Sequence, residues 1–312
     1  MSTAPYYADV ARGPVGEVCA WIHADDGTRL RACHWSPSST KGTVLMFPGR
    51  TEFVEKYSDA AQELATRGFA SAVIDWRGQG LADRVDKARR LGHVWDFAEY
   101  QQDVHAFASF AQEQGLPEPY FLLAHSMGGC IGLRALCNGL AVRAAIFSGP
   151  MWGFGLPFHM RVGGWILSNL AVPVGFGLRF APTEAATAEP ASQPFKDNLL
   201  TSDEAMYEWM QTQVRTHPDL FLGGISLGWL RAAFREMSDL RKQPAPDLPS
   251  HTWLGLDEKI VSIEAIRTRL SSWDTGKLIE VAGARHEVIM ESPQTRQAFY
   301  DQSATLFENS TR

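Results

Sequence analysis

Long apolar runs and clusters of positive charge are both missing from this sequence. No apolar stretch reaches the ~18 residues that a membrane-spanning helix requires, so none is expected. The formal net charge is −6 and no long run of lysine or arginine occurs, so a nucleic-acid partner is not expected. Residues 1–7 contain neither a basic nor an apolar stretch, so we expect no secretory signal peptide and a cytoplasmic location.

Cysteine is scarce as well, and the four that occur are widely spaced. Cys19, Cys33, Cys130 and Cys137 form no C-x-x-C pair and no metal-ligand spacing. In a cytoplasmic protein we expect them to be reduced thiols that pack as small apolar side chains. No G-x-G-x-x-G motif opens the first strand–helix unit, which argues against a dinucleotide-binding domain. The sequence therefore predicts neither a bound metal nor an organic cofactor.

Strand and helix patterns alternate along most of the 312 residues. Short apolar runs predict buried strands, and amphipathic runs with terminal capping or glycine signals predict helices. The predicted strands are 43–47, 70–74, 120–124, 142–147, 252–256 and 277–282, after a hairpin at 17–35, and the predicted helices are 57–67, 96–114, 225–239, 262–273 and the residues from 293. The alternation predicts an α/β fold, a mostly parallel sheet with helices on both faces.

This alternation stops between residues 151 and 222. The segment is rich in Gly, Pro, Phe and Trp and contains no clear strand pattern. We therefore expect a core formed by residues 1–150 and 223–312, with residues 151–222 inserted as a helical cap. Apolar residues of such a cap can be core, can line an acyl-chain pocket or can touch a membrane surface.

Residues 124–129 (AHSMGG) follow a predicted strand and precede a predicted helix. A serine at a sharp strand-to-helix turn is typical of the nucleophile elbow of α/β-hydrolases. The turn lifts the Ser126 hydroxyl out of the sheet, and the positive end of the helix dipole points at the reaction centre. Ser126 is therefore the candidate nucleophile of an acyl-transfer reaction.

A serine nucleophile needs a base, and the base needs an acid that fixes its tautomer. In this fold the acid and then the histidine follow the serine along the chain. Asp257 and Glu258 come directly after the predicted strand 252–256, and His286 follows the last predicted strand. His286 is the candidate base, and either carboxylate is a candidate acid.

Four blocks along the chain resemble one family. They are residues 47–57 (FPGRTEFVEKY), residues 75–80 (DWRGQG), residues 124–129 (AHSMGG) and residues 283–287 (GARHE). They are similar to the blocks of the monoacylglycerol lipase and bacterial lysophospholipase group of the α/β-hydrolase superfamily. Ala124 departs from the pattern, because the group has glycine there, but alanine is small enough to keep the strand and helix close.

The resemblance implies the remaining site residues. Counting back three positions from Val261, as the group's G-x-x-D-x-x-V spacing suggests, selects Glu258 as the acid, with Asp257 as the alternative. The oxyanion hole would be formed by the backbone N–H groups of Arg50 and Met127. These are expectations from the family pattern.

The sequence hypothesis is a serine carboxyl-ester hydrolase that needs no cofactor. The resemblance and the apolar cap imply a single-chain lipid ester, a lysophospholipid or a monoacylglycerol, with possible transient contact at the inner face of a membrane. The alternatives are a broad short-chain esterase or thioesterase and, from another class, a catalytically silent binding protein of the same fold.

Overall fold

One mixed sheet forms the centre of the protein in a computed structural model that describes residues 1–37, 40–85, 90–182 and 193–311. Nine strands of the described residues belong to it, in the order β1-β2-β3-β5-β4-β6-β7-β8-β9. The strands are β1 Ser2–Thr3, β2 Val18–His23, β3 Arg29–Trp35, β4 Thr43–Phe47, β5 Ala70–Asp75, β6 Tyr120–His125, β7 Ala145–Ser148, β8 Ser250–Gly255 and β9 Gly276–Val281. Strands β4 to β9 are mutually parallel, and β1 to β3 form an antiparallel edge.

Helices cover both faces of this sheet. They are α1 Ser58–Thr66, α2 Ala98–Glu113, α3 Met127–Cys137, α4 Phe158–Ala171, α5 Glu204–Thr216, α6 Leu227–Leu240, α7 Ile263–Leu270 and α8 Pro293–Asn309. Leu64 of α1 and Phe307 of α8 belong to one apolar cluster, while Phe107 of α2 and Ile131 of α3 belong to another. The predicted α/β-hydrolase fold, a mostly parallel sheet between two helical layers, is confirmed.

Element boundaries follow the sequence patterns closely, with one clear shift. The hairpin predicted at 17–35 is β2 and β3. The strand predicted at 142–147 begins only at Ala145, because Val142 donates its N–H to Leu140 in a turn and Arg143 donates to Tyr120. The apolar run alone therefore does not show at which residue β7 begins to pair with both β6 and β8.

The expectation that all four cysteines are reduced is wrong for one pair. Cys19 and Cys33 lie directly opposite each other in the β2–β3 ladder and are joined by a disulfide. Cys130 and Cys137 are free and lie on α3. The pairing depends on the register of the hairpin, which the spacing of cysteines along the sequence does not reveal.

The chain leaves the sheet after Ser148 and re-enters it at Ser250. The described part of this insertion forms α4, α5 and α6, and residues 183–192 of the predicted cap lie outside the described residues. Because α6 contacts both α4 and α3, it joins the insertion to the core. The cap boundaries at 151 and 222 stay a prediction. Among the residues described, no helix has the length and apolar character needed to cross a bilayer.

A buried ion network ties β3 to the loop after β4. Arg31 donates to Asp75 at 2.8 Å and to both oxygens of Glu55 at 2.7 Å, and all three side chains are fully buried. The second oxygen of Asp75 accepts the N–H of Val54 at 2.8 Å. These contacts position residues 48–57 above the carboxyl end of the sheet.

Replacing Arg31 by methionine should lower the free energy of unfolding by about 3–5 kcal/mol, because two buried carboxylates lose their cation. Arg29 lies on the same strand, but its ion pair with Asp83 is half-exposed. Arg29→Met is the matched control and should cost about 0–1 kcal/mol. Denaturant unfolding measures both, and equal losses would contradict the assigned role of the network.

Candidate active site

Ser126 lies at a strained turn between β6 and α3. Its backbone has φ 49° and ψ −117°, in a region that L-residues seldom occupy. Its N–H donates to the Ser148 carbonyl at 3.0 Å, while its own carbonyl accepts the N–H of Met151 at 2.8 Å. The turn therefore lifts the hydroxyl above the carboxyl ends of β6 and β7, as a nucleophile elbow does.

Small residues make this turn possible. A Cβ on Gly128 would lie 2.0 Å from the carbonyl oxygen of Phe47, so only glycine fits between α3 and β4. Ala124 stands where the family pattern has glycine, and Gly132 of α3 lies opposite it, where an added Cβ would be 3.2 Å from that of Ala124. Because Gly132 has no side chain, α3 can approach β6 closely even though residue 124 is alanine rather than glycine.

The structure brings Ser126, His286 and Glu258 together in one hydrogen-bonded chain. The Nε2 atom of His286 lies 2.8 Å from the Ser126 hydroxyl, and its Nδ1 lies 2.6 Å from Oε2 of Glu258. All three side chains are buried. Beneath His286 lies Gly149 at φ +48°, where a Cβ would meet the His286 carbonyl at 2.8 Å.

Of the two candidate acids, Glu258 faces the histidine and Asp257 is exposed. The other oxygen of Glu258 accepts the N–H groups of Ile260 at 2.6 Å and Val261 at 3.1 Å. Burial by itself would raise the pKa of Glu258, but the His286 hydrogen bond and these two N–H groups lower it. Glu258 is therefore an anion that can orient His286.

The two expected oxyanion donors come from different parts of the chain. Met127 is the first residue of α3, directly after Ser126. Arg50 lies in the loop after β4, and its side chain donates to the Gly223 carbonyl at 2.9 Å. Their roles as backbone donors stay a prediction.

Above Ser126 lies a cavity of about 670 Å³. Its walls are mainly apolar and come largely from the insertion, whereas its floor is polar. The apolar lining includes Phe154, Leu156, Met160, Leu167, Leu199, Leu200, Met210, Val214, Phe221, Ile225, Trp229, Leu230 and Phe234. A cavity with apolar walls and a few polar groups at one end suits a ligand with an apolar chain and one reactive polar group.

The model of the serine aminopeptidase family S33 matches residues 38–293. The chain belongs to this family. The sequence interpretation as an α/β-hydrolase of the lysophospholipase and monoacylglycerol lipase type is confirmed, and with it the assignment to the carboxylic ester hydrolases.

Relatives of this S33 member match it over different lengths. Lysophospholipase L2 of Escherichia coli K12 is 28% identical over 274 residues, covering 81% of this chain and 76% of that protein. The monoglyceride lipase of Rattus norvegicus is 31% identical over 125 residues, 40% of this chain and 38% of that protein. A soluble variant of monoglyceride lipase from Saccharomyces cerevisiae, in complex with a substrate analogue, has a TM-score of 0.72 at 19% identity and covers 99% of both chains, which supports the fold.

One part of the site was not assigned from the sequence. Glu52, Lys56, Tyr57, His125 and Glu287 form a buried polar cluster beside His286. Glu52, Tyr57 and Glu287 lie in family blocks, which was the available signal, but their spacing in sequence does not show that they meet. Lys56 lies inside the block 47–57 as well, at a position for which the resemblance implied no role.

Two histidines stand outside the reaction centre. Nδ1 of His93 pairs with the Ser226 hydroxyl at 2.7 Å, and burial lowers the pKa of His93 to about 4. Nδ1 of His125 lies 2.9 Å from the Ser148 carbonyl and so carries the proton. Burial lowers the pKa of His125 as well, and both rings are therefore neutral structural side chains at pH 7.

Glu258→Gln should lower kcat by roughly 10²–10⁴-fold, because a neutral amide neither fixes the His286 tautomer nor stabilises its cation. Asp257→Asn is the matched control, since Asp257 is adjacent and exposed, and it should keep wild-type kcat. Steady-state turnover of a nitrophenyl ester compares the two. A large loss in the Asp257 variant alone would assign the acid to Asp257 instead.

Proposed function

We propose that this protein is a lipid-ester hydrolase that cleaves a single acyl chain from a lysophospholipid or a monoacylglycerol. The observation that carries the proposal is the Ser126–His286–Glu258 hydrogen-bonded chain at the floor of an apolar cavity of about 670 Å³. The names of the E. coli and rat relatives support the lipid class.

In the proposed reaction the Ser126 oxygen attacks the ester carbonyl carbon while Nε2 of His286 takes the hydroxyl proton. The tetrahedral intermediate collapses when the carbon–oxygen bond to the alcohol breaks, and His286 returns the proton to that leaving oxygen. A water molecule, deprotonated by His286, then attacks the acyl carbon. The bond between that carbon and the Ser126 oxygen breaks, His286 returns the proton to Ser126, and the fatty acid leaves. Glu258 orients the imidazole and stabilises its cation throughout.

Negative charge develops on the carbonyl oxygen in both steps. The proposed donors are the backbone N–H groups of Arg50 and Met127, the second of which begins α3 and adds the positive end of that helix. Such donors are worth roughly 10²–10³-fold in kcat each, because they act in a site shielded from water.

The acyl chain would lie along the apolar walls supplied by the insertion. Met160 and Leu167 of α4, Leu230 and Phe234 of α6, and Met210 of α5 all line the cavity. A long chain gains about 0.8 kcal/mol for each buried methylene group, so the cavity should favour longer esters. This preference separates the lipid-ester proposal from a short-chain esterase or a thioesterase of broad range.

The insertion also carries an exposed apolar surface suited to contact with the boundary between lipid headgroups and acyl chains. Phe158 is 73% exposed, Leu170 69%, Val174 69% and Trp165 53%. Residues 151–182 contain two arginines and no acidic residue, although the whole chain has a net charge of −6. We infer transient contact with an anionic membrane surface through this face. The cytoplasmic location stays a prediction, and the Cys19–Cys33 disulfide weighs against it because reducing compartments disfavour disulfides.

Ser126→Ala should lower kcat by roughly 10⁴–10⁶-fold, because the nucleophile is lost while the fold is kept. The assay compares lysophosphatidylcholine, monoacylglycerol and nitrophenyl esters of increasing acyl length. A fluorophosphonate probe should label the wild type and leave the variant unlabelled.

Each outcome of that assay bears on the proposal. Preference for one of the two lipids, lost in the variant, supports it and names the substrate class. Turnover restricted to short nitrophenyl esters would refute the lipid assignment, and turnover of the variant near the wild-type rate would refute the serine mechanism. Absence of both labelling and turnover in the wild type would favour the catalytically silent binding protein.

The double variant Trp165→Glu/Leu170→Glu should bind anionic phosphatidylglycerol vesicles at least roughly tenfold more weakly than wild type, because two exposed apolar side chains proposed to enter the membrane surface become charged. Neither residue lines the cavity, so hydrolysis of a soluble short ester serves as the reference. Val15 is fully exposed outside the insertion, and Val15→Glu is the control. Vesicle sedimentation with equal binding by all three proteins would contradict membrane contact through α4.

A further inference from the structure

A buried charged bridge connects the two loops that flank the proposed nucleophile. The ammonium of Lys56 lies 2.5 Å from a carboxylate oxygen of Glu52 and 2.5 Å from one of Glu287. The three side chains are between 3% and 7% exposed. A bridge of this kind is expensive to bury, because each charge loses its hydration and depends on its partners.

We propose that Glu52, Lys56 and Glu287 are positioning residues that hold the oxyanion loop against the His286 loop and supply a net negative charge that favours proton transfer to His286. This inference rests on the proposed serine mechanism. It assigns a function to side chains that do not themselves touch the reacting atoms.

The two carboxylates of the bridge are each attached to a different loop beside the nucleophile. Glu52 accepts the N–H of Gly49, the residue before Arg50, and the hydroxyl of Tyr57 at 2.7 Å. Glu287 directly follows His286 in the chain, and its N–H donates to the Leu200 carbonyl at 2.8 Å. Lys56 is thus a direct polar link between the loop after β4 and the loop after β9.

The ionisation of the three side chains sets the net charge of the bridge. Burial by itself would raise the pKa of Glu52, but the ammonium of Lys56 and the hydroxyl of Tyr57 hold it below its usual range. Burial would likewise lower the pKa of Lys56, whereas Glu287 and Glu52 raise it. Two carboxylates and one ammonium leave one net negative charge, and the neutral ring of His125 is a neighbour of both Glu52 and His286. The His125 and His286 ring centres are 4.9 Å apart, and the Nε2 atom of His125 is 3.7 Å from Glu52.

The other polar groups around His286 do not cancel this charge. Glu258 and Ser126 bond to its ring directly. Arg285 donates its side chain to the carbonyls of Asn198 and Thr201, and Glu291 accepts the N–H of Arg285 and the hydroxyl of Ser202. Both of these charged groups are directed to the segment 198–202.

Two variants distinguish the effect of the negative charge on His286 from the effect of the contact between the two loops. Glu52→Gln removes one negative charge, so the imidazolium becomes less stable and the base stays neutral to lower pH. The acid limb of the kcat/KM profile should move down by roughly half a unit to one unit. The double variant Lys56→Met/Glu287→Gln removes one charge of each sign, so its acid limb should stay in place while kcat falls roughly tenfold or more, because the loops lose their tie.

Matched controls use an exposed ion pair with the same chemistry. Lys41 and Glu308 lie 2.5 Å apart with side chains about half exposed, and Lys41→Met/Glu308→Gln should leave both the rate and the profile unchanged. Each rate is divided by the concentration of sites that the fluorophosphonate probe labels, so unfolded protein does not affect the comparison. Lys56→Arg should recover part of the lost kcat.

An unshifted acid limb in Glu52→Gln, or wild-type kcat in the double variant, would overturn the proposal. If the double variant does not fold, the single variant still decides the charge effect. Failure of the proposed function is distinct, because it would show as an unlabelled and inactive wild-type protein.

Discussion

The parallel register of β4, β6, β7 and β8 is the constraint on which the site depends. Because these strands run in the same direction, their carboxyl ends open onto one edge, where Phe47, His125, Ser148 and Gly255 each end a strand. Residues far apart in sequence therefore meet there without any direct local signal. The turn at Ser126, the turn that carries Glu258 and the loop after β4 all lie at that edge.

Apolar packing and buried ion pairs both support this edge of the sheet, the first below the edge and the second at it. Below it, apolar clusters on both faces of the sheet provide the stability of the core. At the edge itself, buried ion networks around Arg31 and Lys56 link the segments that surround the site. The strained backbone of Ser126 stands beside a close contact of Gly128 with Phe47, which holds α3 against β4.

The insertion between β7 and β8 gives the site its chemical character. It supplies apolar walls on the inner side and exposed apolar residues on the outer side. A common core can therefore serve different reactions when the insertion changes, because Ser126, His286 and Glu258 belong to the core and the apolar cavity walls come largely from the insertion. This division explains why the reaction class is easier to assign than the substrate.

Local patterns in the sequence determined the strand–helix alternation, the elbow at Ser126 and the order of serine, acid and histidine, because these depend on periodicity and turn chemistry within a few residues. Only the tertiary structure decided that Glu258 rather than Asp257 faces His286, since adjacent side chains differ in direction and not in spacing. The Cys19–Cys33 disulfide and the bridge through Lys56 were likewise decided by register and packing. Contacts across many residues depend on how whole elements align, which no local pattern encodes.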